Sequence, residues 1–483
     1  VRDAETLWTV FTSTDAATEP PLPPEGEITT GARYQQKGLI GRGGVGEVWR
    51  VFDRTLQRDL VRKDLRPDLG QDERAVRRFI NEARITAHLQ HPGVVPVLDV
   101  GVHEDGRPYY TMQEVRGPRL GDVLVLAREA RLGWDLRRLV EAVRRVAEVV
   151  AMAHARGVLH RDLKPDNVMV GEFGEVLVLD WGVALAQPPV GQEEFPGMVV
   201  GTLPYLAPEL LLGAPGAMAP TVDVFSLGAL MYQVLTGRLA RRGTGSRTLA
   251  EVAATPIAPL PLAVDRGLAA ICARCLAPSP ADRFPDAAPL AAALAAWLAG
   301  HDRRERALAV VAEAERFAAR RAELEAEAAD LTHRAAVVLA PLRSFDAATD
   351  KQPGWTLQDR AAALRAEAAL AGDQQEQALQ AALRVDAELP EAHRELAALY
   401  RAQHEDAERG GDVLLAARLE QRLRTHDRGA HQAYLAGQGA LTLQTDPPGA
   451  EVWLYRYASQ HRRLEPVPVG SLGTTPLHEV PLP

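Results

Sequence analysis

Between two alternating runs the chain places Gly41-Arg42-Gly43-Gly44-Val45-Gly46, four glycines in six residues. A backbone free of side chains can turn this sharply and let its amides approach phosphate oxygens closely. The residues that follow restrict the fold around it. A dinucleotide-binding fold needs a strand before such glycines and a helix directly after them. Here Val48-Trp49-Arg50-Val51-Phe52 alternates as a strand does. The glycines therefore tip a β-hairpin, which is either an ordinary tight turn or a flap able to fold over a nucleotide.

A chain of 483 residues with 46% hydrophobic content calls for two or more packed units. Cys272 and Cys275 are its only cysteines, so a disulfide framework is excluded and a reducing, cytoplasmic setting is expected. No apolar run approaches the ~20 residues of a membrane-spanning helix. Arg2, Asp3 and Glu5 make the N-terminus unlike a signal peptide. The net charge of −9 gives no basic footprint for nucleic acid or anionic lipid, so neither is an expected partner.

One bias within the basic residues is informative. Of 55 lysines and arginines only Lys37, Lys63, Lys164 and Lys351 are lysines, so arginine serves almost wherever a positive surface charge suffices. A lysine then asks for a reason. Its compact ammonium fits a tight phosphate pocket that excludes the wide guanidinium fork.

Residues 1–33, rich in Thr, Pro and Glu, read as a flexible leader. From 34 to 300, short alternating runs with glycine turns give way to longer helical stretches, an α+β order with a small sheet lobe before a larger helical one. Residues 301–345, dominated by Ala, Glu and Arg, predict a connector helix or helical hairpin. Helical composition continues over 346–432. There Leu389-Pro390-Glu391-Ala392 looks like a fragment of a tetratricopeptide pair, with an ordinary helical bundle as the alternative. Residues 437–483 change to strand texture, with Leu441–Thr445, a Pro447-Pro448-Gly449 turn and Glu451–Tyr455. A further strand pair is expected after Thr475-Pro476-Leu477. The chain opens without methionine and is expected to be a piece of a longer protein.

The chemistry gathers at a few positions. Lys63 follows the strand-like Asp59–Arg62, one strand beyond the glycines, and Glu82 on an amphipathic segment is the acid to pair with it. Val158–Met169 is the densest stretch, with Asp162, Lys164 and Asn167 in a loop between apolar runs. A carboxylate can accept the proton of an attacking hydroxyl, an ammonium can neutralise a moving phosphoryl group, and an amide oxygen is a hard ligand for Mg²⁺. Asp180, after the apolar Val176–Leu179, adds a second carboxylate. Taken singly each residue fits a loop cap, but jointly they fit phosphoryl transfer.

With these residues in order, Tyr34 to Gly300 resembles the bacterial members of the eukaryotic-type (Hanks-type) serine/threonine protein kinases. The resemblance implies a bilobal kinase-like fold that uses ATP with Mg²⁺, Mn²⁺ being the alternative ion, to phosphorylate Ser and Thr hydroxyls of protein substrates in bacterial signalling. It implies that Asp162, Lys164 and Asn167 are catalytic, and that Asn167 and Asp180 hold the metal. ATP would be bound by Ile40, Gly41, Gly43, Gly44, Gly46, Val48, Val61, Lys63, Glu82, Met112, Gln113, Glu114, Val115 and Met169, with the backbone of Gln113 to Val115 as the adenine hinge. Arg161, Thr202, Glu209, Asp223 and Arg283 would be scaffold or substrate-loop positions, Asp223 bracing the catalytic loop and Arg283 pairing with Glu209. Lysine two residues after the base, with Gly201-Thr202, resembles the serine/threonine branch rather than the tyrosine branch. The tail from Gly439 is similar to PEGA-type β-modules, and the helical and β modules are expected to carry protein partners.

Three positions depart from the family pattern. Val61 stands where alanine packs on adenine and narrows the pocket, and Trp181 replaces phenylalanine after the metal aspartate and is expected to fit. Val183 to Val200 contains no Ser, Thr or Tyr, which removes the usual phosphate switch. Glu193 or Glu194 is expected to supply a standing charge to Arg161 instead. The rivals are a pseudokinase scaffold and a small-molecule phosphotransferase, the latter disfavoured by Gly201-Thr202 and Ala207-Pro208-Glu209. Cys272 and Cys275 lack a second ligand pair and read as helix-core thiols rather than a zinc site.

Overall fold

The computed structural model describes residues 33–128, 134–171, 174–182, 184–186, 201–213, 218–241, 248–437, 439–460 and 463–482. Residues 1–32 of the expected leader, Val183, and residues 187–200 with Glu193 and Glu194 lie outside the described residues. The chain divides between Ala299 and Gly300 into two units.

The first unit opens with an antiparallel sheet. Strands β1 (Tyr34–Arg42), β2 (Gly46–Asp53) and β3 (Arg58–Leu65) follow one another, helix α1 (Glu73–His88) intervenes, and β4 (Val97–Val102) and β5 (Pro108–Gln113) complete the order β1-β2-β3-β5-β4. The glycines lie at the β1–β2 turn, and a strand follows them. Asp72 caps α1 by accepting from the amides of Arg74 and Ala75. The helix buries Phe79, Glu82 and Ala83, and Phe79 and Ala83 pack with Leu65 and Tyr110 of the sheet.

The larger lobe holds α2 (Leu120–Arg128), α3 (Leu136–Ala155) and short strands β6 (Val158–Leu159), β7 (Val168–Val170), β8 (Val176–Val178) and β9 (Leu185–Ala186). Helices α4 (Pro208–Leu212), α5 (Thr221–Thr236), α6 (Leu249–Ala254) and α7 (Arg266–Cys275) follow. α3 shows one apolar face, through Val140, Val143, Val146, Ala147 and Val150, whereas α5 is buried almost all round. A side chain at Gly228 of α5 would come within 2.5 Å of Cys275, so the glycine permits close packing against α7. Cys272 and Cys275 are both buried in this core, as expected of helix-core thiols.

Helix α8 (Ala287–Leu339) starts earlier than the expected connector at 301. Its first turns, Ala287 to Leu298, belong to the core of the larger lobe. Nothing in the alanine-rich sequence stops the helix there, since a lone Gly300 costs only about 1 kcal/mol. In the second unit α8 is a single helix to Leu339, and α9 (Ala348–Val385) returns along it. Leu324, Ala328 and Leu331 pack on Ala361, Leu364 and Ala368. Helices α10 (Pro390–Gly410) and α11 (Val413–His426) complete a second core with Ala307, Val311 and Leu379. Strands β10 (Gly439–Leu443), β11 (Glu451–Gln460), β12 (Arg463–Thr474) and β13 (Leu477–Leu482) pair as β10–β13 and β11–β12. After Thr475-Pro476, strand β13 returns to pair with β10.

Candidate active site

Strand register gathers several of the residues expected to bind nucleotide. Val48 lies opposite Lys63, Lys63 opposite Tyr110, and Val61 opposite Met112. Directly opposed residues share a face, so all five side chains stand on one side of the sheet. Lys63 Nζ donates to Glu82 Oε1 at 2.6 Å, and Asp180 Oδ1 lies 3.8 Å away. Burial works against the Lys63 charge, but Tyr110, Glu82 and Asp180 overcome it and hold the ammonium above its ordinary range. Tyr110 was not picked out from the sequence. Its hydroxyl donates to the same Glu82 oxygen at 2.9 Å, and its place two residues before Met112 on an alternating strand was the available signal.

The catalytic-loop candidates converge through direct bonds. Asp162 Oδ1 accepts from the Thr202 hydroxyl at 2.7 Å. Asp162 Oδ2 accepts from Lys164 Nζ at 2.7 Å and from Asn167 Nδ2 at 3.1 Å. Lys164 also donates to Thr202 Oγ1 at 2.8 Å. Asn167 Nδ2 donates a second time, to the Asp162 carbonyl at 2.8 Å, which commits the amide nitrogen and leaves the oxygen to offer. With the half-exposed Asp180 carboxylate, this gives a hard oxygen donor set that fits Mg²⁺.

Strained backbone presents these groups. Arg161 has φ +67° and Asp180 φ +61°, left-handed values that non-glycine residues adopt at a cost of about 1–3 kcal/mol each. Asp223, fully buried on α5, offsets the first. Its Oδ1 accepts from the Arg161 amide at 2.8 Å, and its Oδ2 accepts from the His160 amide at 2.8 Å and meets His154 Nε2 at 2.9 Å. Burial alone would raise the Asp223 pKa, yet His154, His160 and the Arg161 amide hold it below the ordinary range. His154 also escaped sequence reading, although a histidine in the last turn of a helix is a recognisable position.

Around Asp180, Trp181 is buried, donates from Nε1 to the Val178 carbonyl at 3.3 Å, and packs its ring 4.6 Å from His160. The bulkier aromatic therefore fits. A side chain at Gly182 would meet Glu82 Oε2 at 2.9 Å and Asp180 Oδ1 at 3.1 Å, which only glycine avoids. Glu114 begins the segment after β5, and its Oε1 accepts from Arg50 of β2 at 2.8 Å. Ile40, in β1 beside Gly41, is half-exposed, and Met169 lies in β7. Arg283 forks onto Glu209 at 2.6 and 3.0 Å, joining the segment after Thr202 to the helical lobe.

The protein kinase domain family matches residues 34–291, more than half of the chain. The chain belongs to the protein kinase family. It is 35% identical over 300 residues to the serine/threonine-protein kinase PknD of Chlamydia trachomatis, covering 56% of this chain and 32% of that protein. To the serine/threonine-protein kinase PknA of Mycobacterium tuberculosis it is 36% identical over 286 residues, covering 58% of this chain and 64% of the relative. A PknD of Protochlamydia amoebophila is 36% identical over 236 residues, 44% of this chain and 24% of that protein. The chain spans less than two thirds of the length of each of these relatives. Among the described residues no helix is long and apolar enough to cross a membrane.

Proposed function

We propose that this chain is an ATP-dependent serine/threonine protein kinase that acts in the cytoplasm in bacterial signalling. The observation that carries the reading is the closed contact set of Asp162, Lys164 and Thr202, with Asn167 on the same carboxylate and Asp180 near Lys63. Asp162 orients the acceptor hydroxyl and takes its proton. Lys164 places a positive charge beside that carboxylate, where the transferred phosphoryl gains negative charge. Lys63, fixed by Glu82, holds phosphate oxygens of ATP, while the glycines of the β1–β2 turn close over them. Asn167 and Asp180 would hold Mg²⁺, or Mn²⁺ in its place. Such an ion supplies bridging and charge neutralisation of the phosphates when bound. The backbone of Gln113 to Val115 carries adenine, and Ile40, Val48, Val61, Met112 and Met169 supply the apolar walls.

We further assign residues 34–300 to the kinase domain and 346–432 to a tetratricopeptide-like helical region joined by 301–345. Residues 437–483 are assigned to a PEGA-like module, and the two C-terminal modules to protein partners. The test of the enzymatic reading is Asp162→Asn. Phosphate transfer to a basic protein acceptor should fall by about 10² to 10⁴ while Mg²⁺-ATP binding persists. Unchanged turnover in the variant overturns the assigned role. A wild-type chain that binds Mg²⁺-ATP but transfers to no Ser or Thr acceptor leaves the scaffold reading instead.

A further inference from the structure

The β11–β12 ribbon exposes a face that its own module does not cover. The strands are 10 and 12 residues long, and none of the ribbon residues whose burial is described is buried. A two-stranded ribbon in water is marginal unless an apolar face packs on something. Pairing places Trp453 opposite Ser471, Tyr455 opposite Pro468, Tyr457 opposite Pro466, and Ser459 opposite Leu464. The three aromatic residues thus form one row, with Leu464, Pro466 and Pro468 alongside. Trp453 is 50% exposed, Tyr455 51%, Tyr457 68% and Leu464 70%. Of the ribbon's charged residues, Arg456, Arg463 and Glu465 fall at the alternate positions, on the opposite face, while Glu451, two residues before Trp453, stands at one end of the aromatic row.

The composition of this row narrows its occupant. Three aromatic residues with a single charge, Glu451, at the end of their row match the centre of protein interfaces, where Trp and Tyr are enriched and Lys, Glu and Asp depleted. A row whose one charge is the terminal Glu451 has no cation to hold a nucleic acid, an anionic lipid or an acidic peptide. Its three aromatic positions meet their own copy with no like-charge penalty, and packing with the two rows antiparallel keeps the Glu451 carboxylates at opposite ends. The exposed parts of three aromatic rings, a leucine and two prolines sum to roughly 600 Å² per copy, against ~800 Å² per partner in a standard interface. The outer edges of β11 and β12 are also unpaired among the described residues, which leaves strand edges at the rim to supply the remainder.

We propose that the Trp453–Tyr455–Tyr457 face is a self-association surface on which a second copy of this chain packs the same face about a twofold axis. The proposal does not rest on the kinase reading.

Sedimentation of the full chain tests it. Wild type should pass from monomer to dimer in the micromolar range, and Trp453→Ser/Tyr455→Ser/Tyr457→Ser should weaken association at least tenfold. Because the triple variant can lose the ribbon itself, a second measurement uses single substitutions. Both native cysteines are buried, so an introduced thiol is the one available to a reagent in the folded chain. Tyr455→Cys should be captured as a covalent dimer by a short bismaleimide, and Arg456→Cys, on the other face, should not. A wild-type chain that stays monomeric overturns the proposal and leaves the face to a foreign partner. A dimer that survives the triple substitution, or equal capture of both thiols, overturns it as well.

Discussion

Replacing Arg283 with methionine removes a cation whose side chain is wholly enclosed. Besides its fork onto Glu209, Arg283 donates to the carbonyls of Ala277 at 2.7 Å, Pro278 at 3.0 Å and Thr221 at 3.1 Å. Methionine keeps much of the volume, so the loss is electrostatic and polar rather than a cavity. Glu209, whose side chain is 10% exposed, then keeps a carboxylate without its ion-pair partner, with only the weaker attraction of Arg241 left. Breaking one side of such a pair costs about 3–5 kcal/mol. One contact reduces this cost. Arg241 and Arg283 stack on Phe225, at 4.7 and 4.9 Å, and burial together with Arg283 lowers the Arg241 pKa to about 10. Removing Arg283 relieves that repulsion, which favours the lower end of the range. At about 2 °C per kcal/mol for a unit of this size, the midpoint should fall by roughly 6–10 °C. Calorimetry of the full chain reads this, with the kinase transition identified as the one Mg²⁺-ATP shifts. Glu209→Leu should also destabilise, and the double variant should be less damaged than the sum of the singles by about 2 kcal/mol. Additive losses, or a midpoint for Arg283→Met within about 2 °C of wild type, would refute the argument that the pair rather than local packing joins this segment to the lobe.

Three other outcomes are expected. Lys63→Arg keeps the charge but not the compact ammonium that sits 2.6 Å from Glu82, and displacement of that order should lower kcat/KM about 10²-fold; wild-type kinetics would show that the pocket tolerates the fork. Burial, His393 and Arg428 lower the pKa of His426, with Glu376 opposing, and His426 Nδ1 lies 2.9 Å from His393 Nδ1. The unfolded chain therefore binds the proton more readily, so the helical unit should keep its stability above about pH 6.5 and lose it as pH falls below that value. Thermal midpoints at neutral and mildly acidic pH measure this, and a slope unchanged by His426→Gln would refute it. Burial pushes the Cys272 thiol up to about 12 and Cys275 higher still, so a thiol reagent should label neither in the folded chain and both after denaturation; rapid native labelling would contradict the packing.

The scarcity of lysine made Lys63 and Lys164 legible without any structure. The other two lysines have ordinary surface tasks, Lys37 pairing with Asp59 at 2.6 Å and Lys351 donating to the Ser344 carbonyl at 2.7 Å. The sheet lobe was legible because alternation with period two and a glycine turn are local signals. The run of α8 through Gly300 was not, because a helix propagates through an alanine-rich stretch that carries no stop signal; its true start is marked by Asp286, whose carboxylate accepts from the Ala288 amide at 2.7 Å. Tyr110 and His154 were hidden for a different reason. Each acts through a partner distant in sequence, Glu82 and Asp223, and only strand register or helix packing brings the pairs together.

Thr202 shows how the hydroxyl-free stretch and the site geometry bear on each other. From Val183 to Val200 the chain has no hydroxyl to phosphorylate, and Thr202 is the next one. That hydroxyl is engaged twice, donating to Asp162 at 2.7 Å and accepting from Lys164 at 2.8 Å. A phosphate there would set negative charge against the Asp162 carboxylate and draw Lys164 away from it, opposing the proposed reaction. The order of the described site has other sources. Glu82 holds Lys63, Asp223 holds the Arg161 backbone, and Trp181 is fixed between His160 and the Val178 carbonyl. Each is a contact of unmodified side chains. On the proposed reading, then, the alignment of Lys63, Asp162 and Asp180 is a property of packing and buried hydrogen bonds, and control of the activity falls to contacts outside this cluster.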